Sequence, residues 1–232
     1  MEVVILAGGK GSRLLPHTAE IPKPLVPIGD TPIVEILLRQ LKKAGVTKVH
    51  MAVSHMANLI MNVVGDGNKF GLEIVCSTEE KPLSTAGPLK LIKHLPEHFV
   101  VANGDILSDI DIRALYNQHV AGDALLSIAT YEREENIDYG VLETSAENVV
   151  TGFSEKPSYH FTVSMGIYVF SRAVLEFIPR GKPFGFDELV LELLQRGKKI
   201  ASYPYDGYWQ DIGRPDDYAR AQADIERIKG LL

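Results

Sequence analysis

The chain has 232 residues, enough for one large domain with a substantial core, and no stretch reads as a linker between two. Its composition, 45% hydrophobic and 23% charged, is ordinary for a soluble globular protein. With 24 Lys and Arg against 30 Asp and Glu, the formal charge of −6 excludes a general nucleic-acid binder, which needs a basic face, but not a phosphate ligand, which a few local cations and backbone amides hold.

The run Val3 to Leu6 reads as a buried strand leading into a glycine loop. It carries no basic leader, and no stretch approaches the roughly 18 apolar residues of a membrane span, so a cytoplasmic protein without membrane contact is expected. Pro32 to Lys43 has helical spacing, with Gly45 as a stop. Lys48 to Val53 is a strand, Leu59 to Val64 a helix, and Leu72 to Cys76 a strand. Cys76, the single cysteine, excludes an intrachain disulfide and reads as a small core residue. A short helix is expected over Leu89 to His94, a strand over Phe99 to Ala102 and a helix over Ile112 to Val120. Strands follow at Ala124 to Tyr131, Gly140 to Glu143, Val149 to Ser154 and Gly166 to Phe170, then helices at Phe186 to Gln195 and Pro215 to Ile228.

Strand, helix, strand at this rhythm implies right-handed crossovers and a mostly parallel sheet covered by helices on both faces. The fold class is therefore α/β, three-layered and Rossmann-like. An α/β core over residues 1–130 is expected, with a more mixed half, 131–232, built onto the same sheet.

The first strand runs into Leu6-Ala7-Gly8-Gly9-Lys10-Gly11-Ser12-Arg13-Leu14. Closely spaced glycines let backbone N–H groups approach a ligand and make nests for phosphate oxygens. The loop fits neither familiar phosphate fingerprint: Lys10 is followed by Gly11 rather than Ser or Thr, and Gly9 and Gly11 are followed by Leu14 where a third glycine is required. Alone, such a loop also reads as a plain turn. Ten residues after Arg13 comes Lys23, in Ile21-Pro22-Lys23-Pro24-Leu25-Val26-Pro27; prolines stiffen this segment and hold its lysine, which taken by itself also reads as solvated.

Two carboxylates stand in comparable settings. Val100-Val101-Ala102-Asn103-Gly104-Asp105 is an apolar strand ending in Asp, where open α/β sheets place their ligands. Trp209-Gln210-Asp211-Ile212-Gly213-Arg214-Pro215 puts a second Asp in a Gly-bounded aromatic segment. Each suits a hard divalent cation, and each also reads as a turn or cap residue. No histidine pair has metal-ligand context: His94 and His98 are separated by the helix-breaking Pro96. His17 and His55 read as solvated, and no nucleophile triad appears.

Taken together, Leu6-Ala-Gly-Gly-x-Gly-x-Arg-Leu-x-Pro16 and Lys23-Pro-x-x-Pro27 resemble the signature of the sugar-1-phosphate nucleotidylyltransferases. The resemblance covers nearly the whole chain and implies a single nucleotidylyltransferase domain over 1–232, with a nucleotide-binding half (1–130) and a sugar-binding half (131–232). It implies that Leu6, Ala7, Gly8, Gly9, Gly11, Ser12 and Gly104 cradle the triphosphate, that Arg13 and Lys23 stabilise charge at the reacting phosphates, and that Asp105 and Asp211 hold Mg²⁺, with Mn²⁺ as a substitute. Tyr139-Gly140, Glu155-Lys156, Ser164 and Gly166 match positions that contact the sugar and its phosphate. Where the family often has Asn, this chain has Ser164, which leaves the sugar open.

Thr85-Ala86-Gly87-Pro88-Leu89 resembles the base-contacting segment of the mannose- and heptose-1-phosphate guanylyltransferases, with Ser84 replacing the usual Gly. The implied partners are a nucleoside triphosphate, GTP foremost, and a mannose-configured sugar-1-phosphate, with a homo-oligomer left open. Alternatives are UTP or dTTP with glucose-1-phosphate, a non-sugar phosphate such as phosphocholine, or a non-catalytic nucleotide-sugar sensor.

Overall fold

The computed structural model describes residues 1–231. In chain order the elements are β1 (Glu2–Ala7), β2 (Pro27–Ile28), β3 (Thr31–Pro32), α1 (Ile33–Lys43), β4 (Lys48–Val53), α2 (Ala57–Val64), β5 (Glu73–Thr78), β6 (His98–Asn103), β7 (Ile106–Ser108), α3 (Ile112–Ala121), β8 (Leu126–Asn136), β9 (Gly140–Thr144), β10 (Val150–Glu155), β11 (Ser158–Ser171), α4 (Phe186–Gln195), β12 (Ile200–Tyr205), β13 (Trp209–Asp211), α5 (Pro215–Ala223) and α6 (Ile225–Leu231).

Seven strands form one sheet in the order β12-β8-β11-β6-β1-β4-β5. β5, β4, β1 and β6 are mutually parallel, β12 is parallel to β8, and β11 alone runs against both of its neighbours. Burial on both faces explains why β1 is an unbroken apolar run: Val3, Ile5 and Ala7 face one core while Val4 faces the other. The first core packs against Val34, Leu37 and Leu41 of α1, Ile60 and Val64 of α2 and Leu115 of α3. The second packs against Leu189 and Leu193 of α4. The expected mostly parallel α/β architecture is the one observed.

A third cluster decides where the site lies. Leu14, Val26, Ile28, Leu107, Tyr208 and Ile212 are buried together with Ile33 and Ile36 of α1, Ala221 of α5 and Ile228 of α6. It fastens the glycine loop, the Lys23 loop and the Asp211 strand to one another. Local chemistry sets the helix starts: Asp111 accepts from the Ala114 N–H (2.9 Å) before α3, and Asp217 accepts from the Arg214 N–H (2.9 Å) at α5, whose first residue is Pro215.

Several sequence expectations are corrected. The helix expected over Leu89 to His94 is a 3-10 turn over Gly87–Leu91, stopped before His94, which adopts a left-handed φ of 61°. The single helix expected from Pro215 to Ile228 is two, interrupted at Asp224. β12, β7 and β13 were not anticipated, and β8 and β11 run further than their apolar stretches because they pair with each other beyond the sheet, from Ser164↔Thr130 to Ser158↔Asn136. Cys76 lies on edge strand β5 and is only half-buried.

One buried polar group gives the fold a pH dependence. His119, 2% exposed, lies between Ser127 Oγ (2.8 Å from Nδ1) and Ser171 Oγ (3.1 Å from Nε2). Burial, aided by the neighbouring His98, pushes its pKa down from the usual 6.5 to about 4. The unfolded chain therefore takes up a proton below pH 6.5 that the native state refuses until about pH 4, and stability falls as pH drops through that window. This site is expected to remove about 2 kcal/mol between pH 7 and pH 5, read from urea unfolding. His119→Gln should flatten that slope; a wild-type midpoint unchanged between the two pH values is incompatible with a neutral buried imidazole.

Candidate active site

The four parallel strands end on one edge of the sheet, and each delivers residues to a single cavity of about 490 Å³. After β1 come Gly8, Gly9, Lys10, Gly11, Ser12 and Arg13, with Leu6 from the strand itself. β4 ends in Ser54 and His55, β5 in Glu79, and β6 supplies Asn103 and Asp105. Pro82, Ser84, Thr85, Pro88, Lys23 and Gly213 also line it. Gly11 has φ +65, a turn conformation that favours glycine, and its carbonyl accepts from the Thr18 hydroxyl (2.8 Å) and the Leu14 N–H (2.9 Å).

Lys23 is held rather than solvated. It starts a 3-10 turn between Pro22 and Val26, is 9% exposed, and donates from Nζ to Asp105 Oδ2. Asp105 Oδ1 is buried with no hydrogen-bond partner. An unpartnered carboxylate oxygen next to a lysine-paired one is a donor of the kind a hard divalent ion takes. β13 brings the second carboxylate: it pairs with β7 so that Asp211 lies opposite Ile106, and the Ile212 N–H donates to the Asp105 carbonyl (3.1 Å). Asp211 opens to solvent in a second cavity, yet the protein packed around its carboxyl pushes its pKa upward; the Asp105 charge adds to this, while Lys23 and Arg13 oppose it. Two carboxylates suit Mg²⁺, which takes substrate phosphate and water as its remaining ligands. Among the described residues, no group of three or more His, Cys, Asp or Glu gathers elsewhere as a metal site.

The second cavity, about 770 Å³, is lined by Tyr131 to Glu135, Trp209 to Asp211, Arg214, Asp216, Asp217 and Arg220. Arg13 and Gly213 line both cavities, so the two meet there. The Tyr131 and Trp209 rings lie 5.2 Å apart, and Trp209 Nε1 donates to the Met165 carbonyl (3.0 Å).

The remaining sequence-derived residues fall into two groups. Gly140 pairs with Glu155 in the β9–β10 ribbon, so Tyr139, Gly140, Glu155 and Lys156 are brought together, but all are exposed and none lines either cavity. Ser164 and Gly166 stand where β11 departs from β8: Ser164 Oγ bonds the Tyr168 hydroxyl (3.2 Å), and a side chain at Gly166 would strike Asn103. Ala7, Gly87 and Gly104 line neither cavity, because their close approach is internal. A Cβ at Gly87 would lie 2.9 Å from Leu83, and one at Gly104 would lie 3.0 Å from the Leu6 carbonyl. Thr85 lines the cavity, but its hydroxyl also accepts from the Phe186 N–H (2.8 Å), tying the loop to α4. Ser84, where the resemblance expects Gly, adopts φ 64°, a conformation that favours Gly. His55, read as solvated, is half-buried in the cavity wall.

A family model described as nucleotidyl transferase matches residues 2–228. The chain belongs to the nucleotidyl transferase family. Within that family it is 34% identical over 233 residues to a mannose-1-phosphate guanylyltransferase of Mycobacterium tuberculosis (98% of this chain, 65% of that one). It is 33% identical over 231 residues to a D-glycero-α-D-manno-heptose 1-phosphate guanylyltransferase of Aneurinibacillus thermoaerophilus (97% and 99%). A UTP–glucose-1-phosphate uridylyltransferase of Synechocystis is 34% identical over 252 residues (100% and 63%). The chain thus spans about two thirds of the first and third relatives and nearly all of the second. Among solved structures, HddC from Yersinia pseudotuberculosis superposes with a TM-score of 0.74 at 28% identity, covering 97% of this chain and 99% of that one.

Sequence reading missed Glu79, Ser54, Tyr131 and Arg214. Glu79 and Ser54 follow strands read from the sequence, and that strand-end position was the available signal. Tyr131 ends a strand read from the sequence, so the same signal was available for it; Arg214 carries no such mark.

Proposed function

We propose that this chain transfers a nucleoside monophosphate from a nucleoside triphosphate to a sugar-1-phosphate, releasing pyrophosphate. The observation that carries the reading is the junction of two cavities at Arg13, with the glycine loop, Lys23 and Asp105 on one side and Asp211 on the other. A reaction joining two phosphorylated substrates needs such a junction. The smaller cavity takes the nucleotide and the larger the acceptor, so residues 1–130 supply most of the nucleotide half and 131–232 most of the sugar half within one domain.

A phosphate oxygen of the sugar-1-phosphate attacks the α-phosphorus in line; the bond to the bridging oxygen breaks and its electrons leave with pyrophosphate. The nucleophile is already an anion, so no general base is required, which agrees with a site of cations, carboxylates and amides. The glycine-loop N–H groups hold phosphate oxygens, Lys23 neutralises charge on the transferred group, and Arg13 spans both substrates. Asp105 and Asp211 would hold a divalent ion, Mg²⁺ or Mn²⁺, which shields the triphosphate charge. Glu155, Lys156 and Tyr139 act on the sugar phosphate if their ribbon closes on the bound acceptor. The free nucleotide pool places this activity in the cytoplasm.

GTP with a mannose-configured hexose- or heptose-1-phosphate is the preferred pair, supported by Thr85-Ala86-Gly87-Pro88-Leu89 and by the names of the Mycobacterium and Aneurinibacillus relatives. One observation favours a second reading: the Tyr131–Trp209 pair among Glu132, Glu134 and Glu135 also suits a quaternary amine, hence phosphocholine. The test is pyrophosphate release from GTP, ATP, CTP, UTP and dTTP against mannose-, glucose- and heptose-1-phosphate and phosphocholine. The expected best pair is GTP with a mannose-configured acceptor, by about 10²-fold or more over the other bases. UTP or dTTP with glucose-1-phosphate winning overturns the guanylyl assignment; phosphocholine winning overturns the sugar; no release with any pair overturns the transferase reading.

A further inference from the structure

We propose that Asp109 is a positioning residue for the transfer: from outside both cavities, its carboxylate sets the register in which β7 and β13 pair, and so the place of Asp211 beside Asp105. The inference rests on the nucleotidyl-transfer reading and deepens it by naming what holds the second carboxylate at the reacting phosphates.

Asp211 reaches the site on a ribbon of its own. β7 and β13 form a two-stranded sheet separate from the seven-stranded one, and they share only the pairs Trp209↔Ser108, Gln210↔Leu107 and Asp211↔Ile106. Two strands this short are marginal by themselves. A slip of one residue would turn every side chain of β13 to the opposite face and carry Asp211 away from Asp105. At the site end the ribbon is closed by the Ile212 N–H donating to the Asp105 carbonyl (3.1 Å). Asp109, the residue after β7, closes the other end. Its N–H donates to the Tyr208 carbonyl (3.1 Å), and its Oδ1 accepts in return from the Tyr208 N–H (2.7 Å).

The same Oδ1 accepts from the Tyr205 hydroxyl, so one oxygen gathers the end of β12 and the approach to β13. Gly207 leaves the space for this: a Cβ there would stand 2.8 Å from that oxygen and strike the Tyr205 hydroxyl. On the outer side Arg227 of α6 lies 3.5 Å from Oδ2 and 4.6 Å from the centre of the Tyr208 ring. The start of α3 does not call on the Asp109 side chain, because Asp111 caps it. Nor does Asp109 reach the reacting groups, since four extended residues, about 13 Å, separate it from Asp105. Its carboxylate acts through the backbone of the ribbon. Groups that orient a metal ligand in this way are commonly worth about 10–100-fold in metal affinity or activity.

Asp109→Ala removes Oδ1. It should raise the Mg²⁺ concentration for half-maximal activity by about 10-fold and lower kcat by about 10-fold. KM for the nucleotide at saturating Mg²⁺ should stay within about threefold of wild type, because the glycine loop and Lys23 lie on other elements. Asp109→Asn keeps an oxygen for the Tyr208 N–H and the Tyr205 hydroxyl and gives up only the exposed contact with Arg227, so it should restore kcat and the Mg²⁺ requirement to within about threefold. The readout independent of turnover is amide hydrogen exchange in the metal-free protein. Asp109→Ala should speed exchange over residues 209–212 by about 10-fold or more while β4 keeps its protection, and Asp109→Asn should not. A merely stabilising role would lower Tm and speed exchange throughout the chain with the Mg²⁺ requirement unchanged, which overturns the proposal, as does unaltered exchange over 209–212. If Asp109→Ala does not fold, Tyr205→Phe, which takes away the hydroxyl that orients the carboxylate, carries the same comparison, and unaltered exchange over 209–212 in that variant overturns the assignment. Pyrophosphate release by the wild type from no substrate pair strikes the transfer reading, and the exchange over 209–212 still decides whether Asp109 sets the register.

Discussion

Asp211→Asn is expected to reduce turnover by about 10²–10³-fold or more while leaving the fold intact. The wild-type enzyme should lose activity in excess chelator and regain it with Mg²⁺ or Mn²⁺. Asp105 Oδ1 is already buried without a partner, and strand pairing sets Asp211 beside it, so removing one charge removes half of the protein's donors to the ion. The same substitution relieves repulsion in the metal-free protein, where Asp105 and the packing around Asp211 both disfavour its charge. Its Tm without metal is therefore expected at or above wild type, the trade of stability for activity common at functional sites. Two results are inconsistent with this centre: full turnover in excess EDTA, or a large fall in the variant's metal-free Tm.

Arg13→Ala is expected to cost about 10²–10⁴ in kcat/KM, the range seen when a cation that neutralises transition-state charge is lost. Arg13 lines both cavities and acts electrostatically on Asp211, so it is positioned toward donor, acceptor and carboxylate together. Arg13→Lys should recover little, because an ammonium cannot offer the planar fork of donors that two phosphate oxygens accept. A metal-free Tm unchanged in both variants would separate the catalytic loss from misfolding. A loss below about threefold in Arg13→Ala would reduce the residue to a turn element of the glycine loop.

Much of the nucleotide half was legible in the chain because it is local. The apolar run Val3 to Leu6 can only be a strand buried on both faces, and Gly8, Gly9 and Gly11 follow it directly. Lys23 was legible because neighbouring prolines restrict its backbone, and the structure finds it nine-tenths buried against Asp105. The apolar run Phe99 to Ala102 already marks Asp105 as lying at the carboxyl end of a strand, and the strand ends at Asn103.

Other features required the tertiary structure. Nothing near Trp209-Gln210-Asp211 announces a strand, since three residues carry no period; β13 exists because β7 offers an edge beside Asp105. Glu79 and Glu80 are adjacent and identical in type, yet Glu79 is buried while Glu80 is exposed. The strands bearing Gly140 and Glu155 are legible in sequence, but not that they pair with each other as a ribbon apart from the seven-stranded sheet. Sequence alone determined the parallel sheet and the phosphate loop, because burial on two faces and restricted φ are written in consecutive residues. Which distant side chains share a cavity was decided by long-range strand pairing, whose backbone hydrogen bonds are made by every residue type alike and leave little mark on the sequence.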